Sequence, residues 1–417
     1  MWPGAWSWDE FFMIDDASKL AFSTWQNYLT IVFYSHCLMI LYKAQTIVII
    51  QVLFISYVVS YIMVNVEPFV KKRKYVYLFL VPLLLPAIII NNLYPLRLTM
   101  YSYIELLLLF KLFLILKDKL EITTGEIIQI VLFTLGVAIW RSEAIYYYCL
   151  FIYLFIVFFK SKKHRIIFLI SIFSFLFLYS PILYLENQNA EIQFKYKTTA
   201  VINPLSMMLN ENLNENSQAD IAKIDKVLNL KAIKEKPSYV EIPSYWNGTA
   251  LRTDFMKNSK SLYNGYFGLV CKNPILFVKV RFKTFLSSNG FDNYRNININ
   301  TFLSENPSDN VWYVSLRKSV LNYNLRNHII KLLTNNSLVW KVIFWDCIPF
   351  VFFDIFVLLK MLFCKKWKES ILLLFVLVRV PLVFATAAAN YFMYYFPTYL
   401  VSVFLFVYVI IKKKEVE

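Results

Sequence analysis

The sequence predicts an all-α polytopic membrane protein of about nine or ten transmembrane helices with a mostly helical polar domain on one face. Composition is the first reason: of 417 residues, 59% are hydrophobic, 18% aromatic and only 17% charged, with a mean hydropathy of +0.52. Soluble domains average about 45–50% apolar and about 25% charged. The second reason is that apolar runs of nearly spanning length recur along the chain. The third is that lysine and arginine fall in short clusters between those runs, which is how membrane topology is set.

A span needs about 20 apolar residues. Runs that meet or approach this lie at 45–66, 75–92, 98–116, 126–141, 143–159, 166–185, 341–363, 370–387 and 391–411. Residues 28–43 are apolar but short, and suit an interfacial or re-entrant helix better than a full span. Basic clusters at Lys71–Lys74, Lys117 with Lys119, Lys160–Arg165, Lys365–Lys368 and Lys412–Lys414 all fall on one side of this topology. The positive-inside rule makes that side, and the C-terminus, cytoplasmic. Met1 then lies outside with nothing ahead of it to carry it across: either 28–43 crosses after all, or the N-terminus translocates unaided, or another helix once preceded Met1, and the expectation is the last, with Met1 an internal methionine of a longer frame.

Three segments follow: a transmembrane module over 1–185 that includes the first outer loop, an extracytoplasmic polar domain over 186–340, and a second transmembrane module over 341–417. Within the polar domain, Asn210–Gln218 reads as loop. Tyr263–Leu286 alternates apolar and basic residues and predicts one amphipathic helix lying on the membrane surface. Asn289–Asn310 reads as an exposed loop.

Other classes are set aside by what the chain lacks. It carries only 7 glycines and neither GxGxxG nor GxxxxGK[ST], which argues against nucleotide-binding folds. The net charge of +16 resides in topology clusters, so nucleic acid is not an expected partner, while membrane lipids are. Five cysteines without CxxC and 3 scattered histidines support no disulfide framework and no metal site. No cofactor is assigned; a divalent cation stays open.

The first sixteen residues are acidic and aromatic, unlike the rest. Asp9 and Glu10 follow the Pro3-Gly4 turn and are flanked by Trp6, Trp8 and Phe11-Phe12. They suit a general base or a group that orients an acceptor. The competing reading is a tail whose aromatics sit among headgroups while its acids are solvated. Asp15 and Asp16 read as a helix N-terminal signal. Glu105 lies in Tyr-Ser-Tyr-Ile-Glu-Leu-Leu near the outer end of its run. An ionisable group there is a functional candidate by default, against an interfacial Glu in contact with water. Arg141 and Glu143 share an outer turn, where they either pair or hold an anion. Arg97 lies on the same face, and Arg379 is embedded in Leu-Val-Arg-Val-Pro about two turns from it. A guanidinium's planar fork suits phosphate; for Arg379 the alternative is snorkelling. Tyr391 and Tyr394 open the last run, as binding residues or as an interface belt.

The order Pro-Gly-x-x-Ser-x-Asp-Glu (Pro3 to Glu10), Trp25-Gln-Asn-Tyr-Leu, Glu105, Arg141-x-Glu143 and Tyr391-x-x-Tyr394-x-x-Pro397 resembles the GT-C superfamily of polytopic glycosyltransferases. The resemblance is strongest to the bacterial branch related to aminoarabinose transferases and protein mannosyltransferases. Tyr263-Asn-Gly-Tyr-Phe-Gly-Leu-Val-Cys-Lys-Asn-Pro resembles a helix that such proteins carry in their large outer loop. The resemblance implies an inverting transfer of sugar from a polyprenyl-phosphate donor to an envelope glycan or lipid acceptor, at the outer face of the cytoplasmic membrane. It implies that Asp9, with Glu10 beside it, is catalytic and that Glu105 is the second acidic position. Arg97, Arg141 or Arg379 would meet the departing phosphate, and Glu143, Tyr391 and Tyr394 would line the site. The chain departs from the pattern in lacking the family's first helix, in Asn27-Tyr28 where His-Pro is usual, and in Asn390 where Arg is common. The alternatives are an O-antigen or capsule polymerase or ligase, which relies on outer-loop Arg and His, and then a transporter of lipid-linked saccharide. A transporter predicts internal repeats and broken helices, and no repeat is evident.

Overall fold

The computed structural model describes residues 2–6, 8–23, 25–95, 97–118, 122–291, 311–335 and 337–413. It is 79% helical and, among the described residues, has no strand. Most of the predicted loop at Asn289–Asn310 lies outside the described residues, as do Ser7, Lys119 and Lys414.

The chain opens with α1 (Trp8–Lys19), α2 (Tyr28–Ile40) and α3 (Gln45–Val66). A 3-10 helix over Arg73–Leu84 leads into α4 (Pro86–Leu93), then α5 (Arg97–Asp118) and α6 (Thr124–Trp140). A second 3-10 turn, Ser142–Tyr147, feeds α7 (Tyr148–Val157), and α8 (Lys162–Gln188) ends the first module. The polar region holds α9 (Ala190–Lys197), α10 (Thr199–Met208), α11 (Gln218–Asp225), α12 (Leu230–Glu235), α13 (Pro243–Trp246), α14 (Ser259–Lys272), α15 (Pro274–Ser288), α16 (Val311–Lys318) and α17 (Tyr323–Leu333). The chain closes with α18 (Leu338–Phe344), α19 (Ile348–Phe363), α20 (Trp367–Thr386) and α21 (Phe396–Ile411).

Five segments are long and apolar enough to cross a membrane: Gln45–Phe69, Arg97–Lys117, Lys162–Gln188, Leu338–Phe363 and Trp367–Thr386. The run expected at 75–92 is a bent pair, turned by 73° between Arg73–Leu84 and Pro86–Leu93, and makes a sixth if counted as one span. Its bend has a local cause. Leu85 precedes Pro86, whose ring disfavours helical backbone at the residue before it, and Leu85 is extended (φ −69°, ψ 131°). Tyr28–Ile40, Thr124–Trp140, Ser142–Val157 and Phe396–Ile411 are apolar but shorter. The runs expected to span at 126–141, 143–159 and 391–411 fall among these shorter helices.

The described members of all five basic clusters gather at one end of the bundle. Val70 pairs with Lys412 in an isolated bridge, and the Lys413 amide donates to the Phe69 carbonyl at 2.8 Å. Lys117, Lys366 and Lys412 line one cleft. The Tyr153 hydroxyl, near the foot of α7, donates to the Lys368 carbonyl at 2.8 Å and so brings the cluster at 160–165 to the same end. The opposite end carries the termini of α4, α6 and α20 and the starts of α5 and α21.

The polar region has its own apolar core, which includes Ile202, Leu205, Ile224, Leu262, Leu269 and Val280. The single surface helix expected over Tyr263–Leu286 is two helices instead. Pro274 lacks an amide hydrogen and cannot continue α14, so α15 starts afresh after Asn273. Asn273 ties the break down: its Nδ2 donates to Ser217 Oγ and to the Leu269 carbonyl, both at 2.9 Å. α14 is packed against α11. Gly265 and Gly268 permit the approach, because a Cβ at either would lie 2.7 Å from Asp220. Asp220 in turn holds Lys272 at 2.6 Å and Lys223 at 2.9 Å.

α15 joins this region to the membrane bundle. Arg281 is buried, its Nη1 donating to Asn203 Oδ1 at 2.7 Å and its Nε to the Phe384 carbonyl at 2.5 Å. Asn390 completes the joint through Ser287 Oγ (2.6 Å) and the Val240 carbonyl (3.0 Å).

Replacing Gly265 by Val forces two β-branch methyls into backbone and side-chain atoms that already leave no room for a Cβ. Overpacking of this kind costs about 1–3 kcal/mol. Thermal unfolding of the detergent-solubilised chain should therefore show a lower midpoint, and an unchanged midpoint refutes the tight α11–α14 contact.

Candidate functional site

The acidic opening is not a tail. Trp6 is buried, its Nε1 donating to the Pro3 carbonyl at 3.0 Å, and the Ala5 amide donates to the Leu93 carbonyl at 2.8 Å. Arg326 of α17 donates to the Gly4 carbonyl at 2.8 Å. Gly4 is required here twice over. Its φ of +98° suits glycine, and a Cβ would meet Leu93 O at 2.8 Å. This anchorage delivers α1 to the end of the bundle opposite the basic clusters.

Asp9 and Glu10 form the acidic first turn of α1, where the positive end of the helix dipole favours them. Asp15 and Asp16 do not start a helix. They lie towards its end, where Asp15 pairs with Lys19 at 2.7 Å and Asp16 accepts from Ser23. The sequence motif misled because all four acids fall within one helix and only the first two meet the free amides of its first turn.

Neighbouring residues on a helix point about 100° apart, and the two carboxylates have different surroundings. Glu10 is 1% exposed and lies in the field of Tyr34 and Tyr94. Asp9 is partly buried and faces Arg97 and Tyr196. Burial lifts the Asp9 carboxyl above the usual aspartate range, and the Arg97 guanidinium opposes that rise.

Arg97 opens α5 and interacts electrostatically with Asp9, Arg141, Glu143 and Tyr196. Arg141 and Glu143, in the turn after α6, are paired through Arg141 Nε and Nη2 to the same carboxylate oxygen. Of the two readings open for this pair, mutual pairing is what the structure has. Tyr394 lies in the field of Arg141, Glu143 and Tyr196, and its ring centroid is 6.1 Å from that of Tyr391. Asp9 and Arg97 differ from this pair: among the described residues, neither makes a hydrogen bond or a contact-distance ion pair.

Glu105 and Arg379 lie deeper. Glu105 is eight residues along α5 from Arg97, about 12 Å at 1.5 Å per residue. Both Glu105 and Arg379 are fully buried, and Arg379 Nη2 donates to Glu105 Oε2 at 2.8 Å. Tyr147 donates to Glu105 Oε1 at 2.5 Å, and Arg379 also donates to the Tyr101 hydroxyl while its guanidinium lies 4.9 Å from the Tyr101 ring. Two alternatives left open by the sequence are thereby removed. Glu105 has no access to water, and Arg379 does not snorkel, because its charge is met inside the bundle. Among the described residues Arg379 Nε and Nη1 are buried without a hydrogen-bond partner, and Arg141 lies within its field.

Two residues of interest escaped the sequence reading. Tyr196 of α9 stands between Asp9, Arg97, Arg141 and Tyr394, with Trp25 stacked on it at 6.3 Å. Nothing local marks a tyrosine in a polar helix for this position. Asp354 is fully buried within α19 and accepts a short hydrogen bond from Ser402 Oγ. An acid in the middle of an apolar run does mark it. Two motif positions turn out to be structural. Asn27 caps α2 through the Leu29 amide at 2.8 Å, and Asn390 is the tether to the polar region described above.

Among the described residues, no three His, Cys, Asp or Glu side chains come together as a metal-binding group. No protein-family model, curated protein or solved structure matches this chain.

Removing one partner of a buried ion pair leaves an uncompensated charge and costs about 3–5 kcal/mol, whereas replacing both by apolar groups is often neutral. Glu105→Leu and Arg379→Met should each lower the unfolding midpoint sharply, and the double variant should recover most of the loss. Additive losses refute the pairing.

Proposed function

We propose that this chain is an inverting glycosyltransferase of the bacterial cytoplasmic membrane, moving a sugar from a polyprenyl-phosphate carrier to a glycan or lipid acceptor at the outer face. The observation that carries this is a partly buried carboxylate, Asp9, in the electrostatic field of an arginine, Arg97, with neither spent on hydrogen bonds within the described residues. Glycosyl transfer from a lipid phosphate needs those two groups: a base for the acceptor hydroxyl and a cation for the leaving phosphate.

In this mechanism the Asp9 carboxylate takes the acceptor's hydroxyl proton as its oxygen attacks the anomeric carbon. The bond from that carbon to the phosphate oxygen breaks on the opposite face, and the electron pair leaves with the polyprenyl phosphate. Arg97 stabilises the charge that develops there, and Arg141, held by Glu143, orients it. Tyr196 and Tyr394 supply flat faces and hydroxyls for sugar rings. The Glu105–Arg379 pair supports the floor of the site from within the bundle. By the positive-inside rule the end bearing the basic clusters is cytoplasmic, and the site then faces outward. A multi-pass membrane chain with polar groups gathered at one bundle end supports this reading over a soluble enzyme.

Asp9→Asn keeps the shape and removes the base, so transfer from a polyprenyl-phosphate sugar should fall by about 10²–10⁴. The carboxyl of Asp9, its pKa raised on folding, holds its proton more tightly in the folded state. Stability therefore falls as pH rises from the ordinary aspartate value through the raised one. Asp9→Asn escapes that loss and should melt no lower than wild type at neutral pH. Full activity in this variant would refute the proposed base.

The pH profile gives a second check. Activity should rise with pH as Asp9 ionises, along a limb above the usual aspartate range. Arg97→Gln removes the charge that opposes the upward shift, so the limb should move to higher pH. A limb that stays in place in Arg97→Gln means that the titrating group is not Asp9.

A further inference from the structure

α15 spends only one side of its surface on the rest of the protein. Val280 is buried, Arg281 reaches Asn203 and Phe384, and Thr284 donates to the Tyr239 carbonyl at 3.2 Å. The neighbours on that side are α10 and α20. Ile275, Val278 and Phe282 point elsewhere and are 85%, 53% and 50% exposed. Their spacing of i, i+3 and i+7 aligns them in one stripe along the helix. Lys279 and Lys283 are exposed beside it.

The height of α15 decides what meets this stripe. α20 has 20 residues, about 30 Å of helix, which matches the hydrocarbon thickness of a bilayer. Arg281 bonds the carbonyl of Phe384, in the last turn of α20 and at the end opposite the basic clusters. That contact therefore stands where hydrocarbon gives way to headgroups. Phe282 is the next residue and Val278 lies three residues before Arg281, so both are within about 5 Å of that level along the helix, however α15 is tilted. The headgroup zone of one leaflet is itself about 5–8 Å deep. Contact also joins the stripe to the span. Phe282 stacks on Phe285 at 6.3 Å, and Phe285 meets the Phe384 ring edge-on at 6.0 Å. Below them α20 turns Ile371, Leu374 and Val378 outward, so the apolar surface of the bundle continues onto α15.

We propose that α15 is an interfacial anchor. Ile275, Val278 and Phe282 enter the boundary between headgroups and acyl chains, in the leaflet at the end that carries the Asp9 site. Lys279 and Lys283 lay their stems along this boundary and keep their ammonium groups in water. Lys279 lies 3.7 Å from Glu211, with both side chains exposed, a contact too weak to hold it away. The partner is the lipid surface itself, and the anchor gives the polar region a second hold on the membrane beside its joint with α20. This rests on the membrane reading and not on the transferase reading, and its test uses no activity.

The test is photocrosslinking of the full chain in nanodiscs of phosphatidylcholine and phosphatidylglycerol. The variants Val278→p-benzoylphenylalanine and Phe282→p-benzoylphenylalanine are irradiated separately, and the intact chain and its peptides are weighed. Both positions are exposed, so the larger side chain displaces nothing in the core. Phe352→p-benzoylphenylalanine, 68% exposed on α19 within a membrane-crossing segment, marks the signal of a lipid-facing residue. Each of the two α15 variants should gain the mass of one phospholipid, in a yield comparable with that at Phe352. An adduct to any peptide of this chain, residues 292–310 included, shows that protein covers the stripe and overturns the proposal. An adduct to a second copy of the chain does the same. Absence of the lipid adduct at either position places the stripe in water and overturns it too. Absence at Phe352 as well removes the membrane reading on which the anchor rests.

Discussion

Glu105 and Arg379 are fully buried in a largely apolar bundle, where either one alone is an uncompensated charge, and their meeting answers that constraint. Desolvating each charge costs several kcal/mol, and the cost is offset only where geometry is good and remaining lone pairs are bonded. Both oxygens of Glu105 are bonded, one by Arg379 and one by Tyr147. Three stretches of chain, α5, α20 and the turn at Ser142–Tyr147, are thereby committed to one carboxylate. A slip of α20 by one residue along α5 would leave both charges in hydrocarbon. The pair therefore fixes register more than it adds stability, and the turn it fixes is the one that carries Arg141 and Glu143.

Charge is arranged above this pair in layers that differ in how fully they are satisfied. Glu105 with Arg379 lies deepest, Arg141 with Glu143 is nearer the end, and Asp9 with Arg97 comes last. What the cluster offers is local. Arg97 feels Arg141 as well as the acids, and Asp9 is held in a partly desolvated place that its charge disfavours. Among the described residues neither Asp9 nor Arg97 makes a hydrogen bond, so both keep capacity for the ligand proposed above.

How much of this could be read from the sequence depends on whether the cause was local. The span at 45–66 coincides with α3, because an unbroken apolar run needs no partner to be helical in a membrane. Pairing of Arg141 with Glu143 was one of two readings that their spacing left open, and only the fold chooses between them. The bend at Leu85–Pro86 and the break at Asn273–Pro274 were also written locally, in two prolines, but periodicity hid them behind continuous hydrophobic alternation. The Glu105–Arg379 contact spans 274 positions and Tyr196 reaches the site from another region, so no window of sequence contains their cause. Asp15 and Asp16 failed for the opposite reason: a real local signal, acids at a helix start, was present twice within one helix.

The polar region is part of the proposed site and not a separate attachment to it. Arg281 fastens it to the last turn of α20, and Ser287 and Val240 fasten it to Asn390 in the loop that follows. The next residue in that loop, Tyr391, already belongs to the aromatic edge of the site, beside Tyr394. From the other side α9 follows directly on α8 and carries Tyr196 to Asp9 and Arg97, with Trp25 stacked behind it. The site is thus closed by Asp9, Arg97, Arg141, Tyr196 and Tyr394, which no shorter piece of the chain brings together. A site assembled this way tolerates short and degenerate motifs, because each segment supplies one group and the fold supplies the spacing. It also means that the docking contacts of Arg281 reach the residues of the proposed site. Loosening α15 from the Phe384 carbonyl frees the end of α20, and with it the loop that positions Tyr391 and Tyr394.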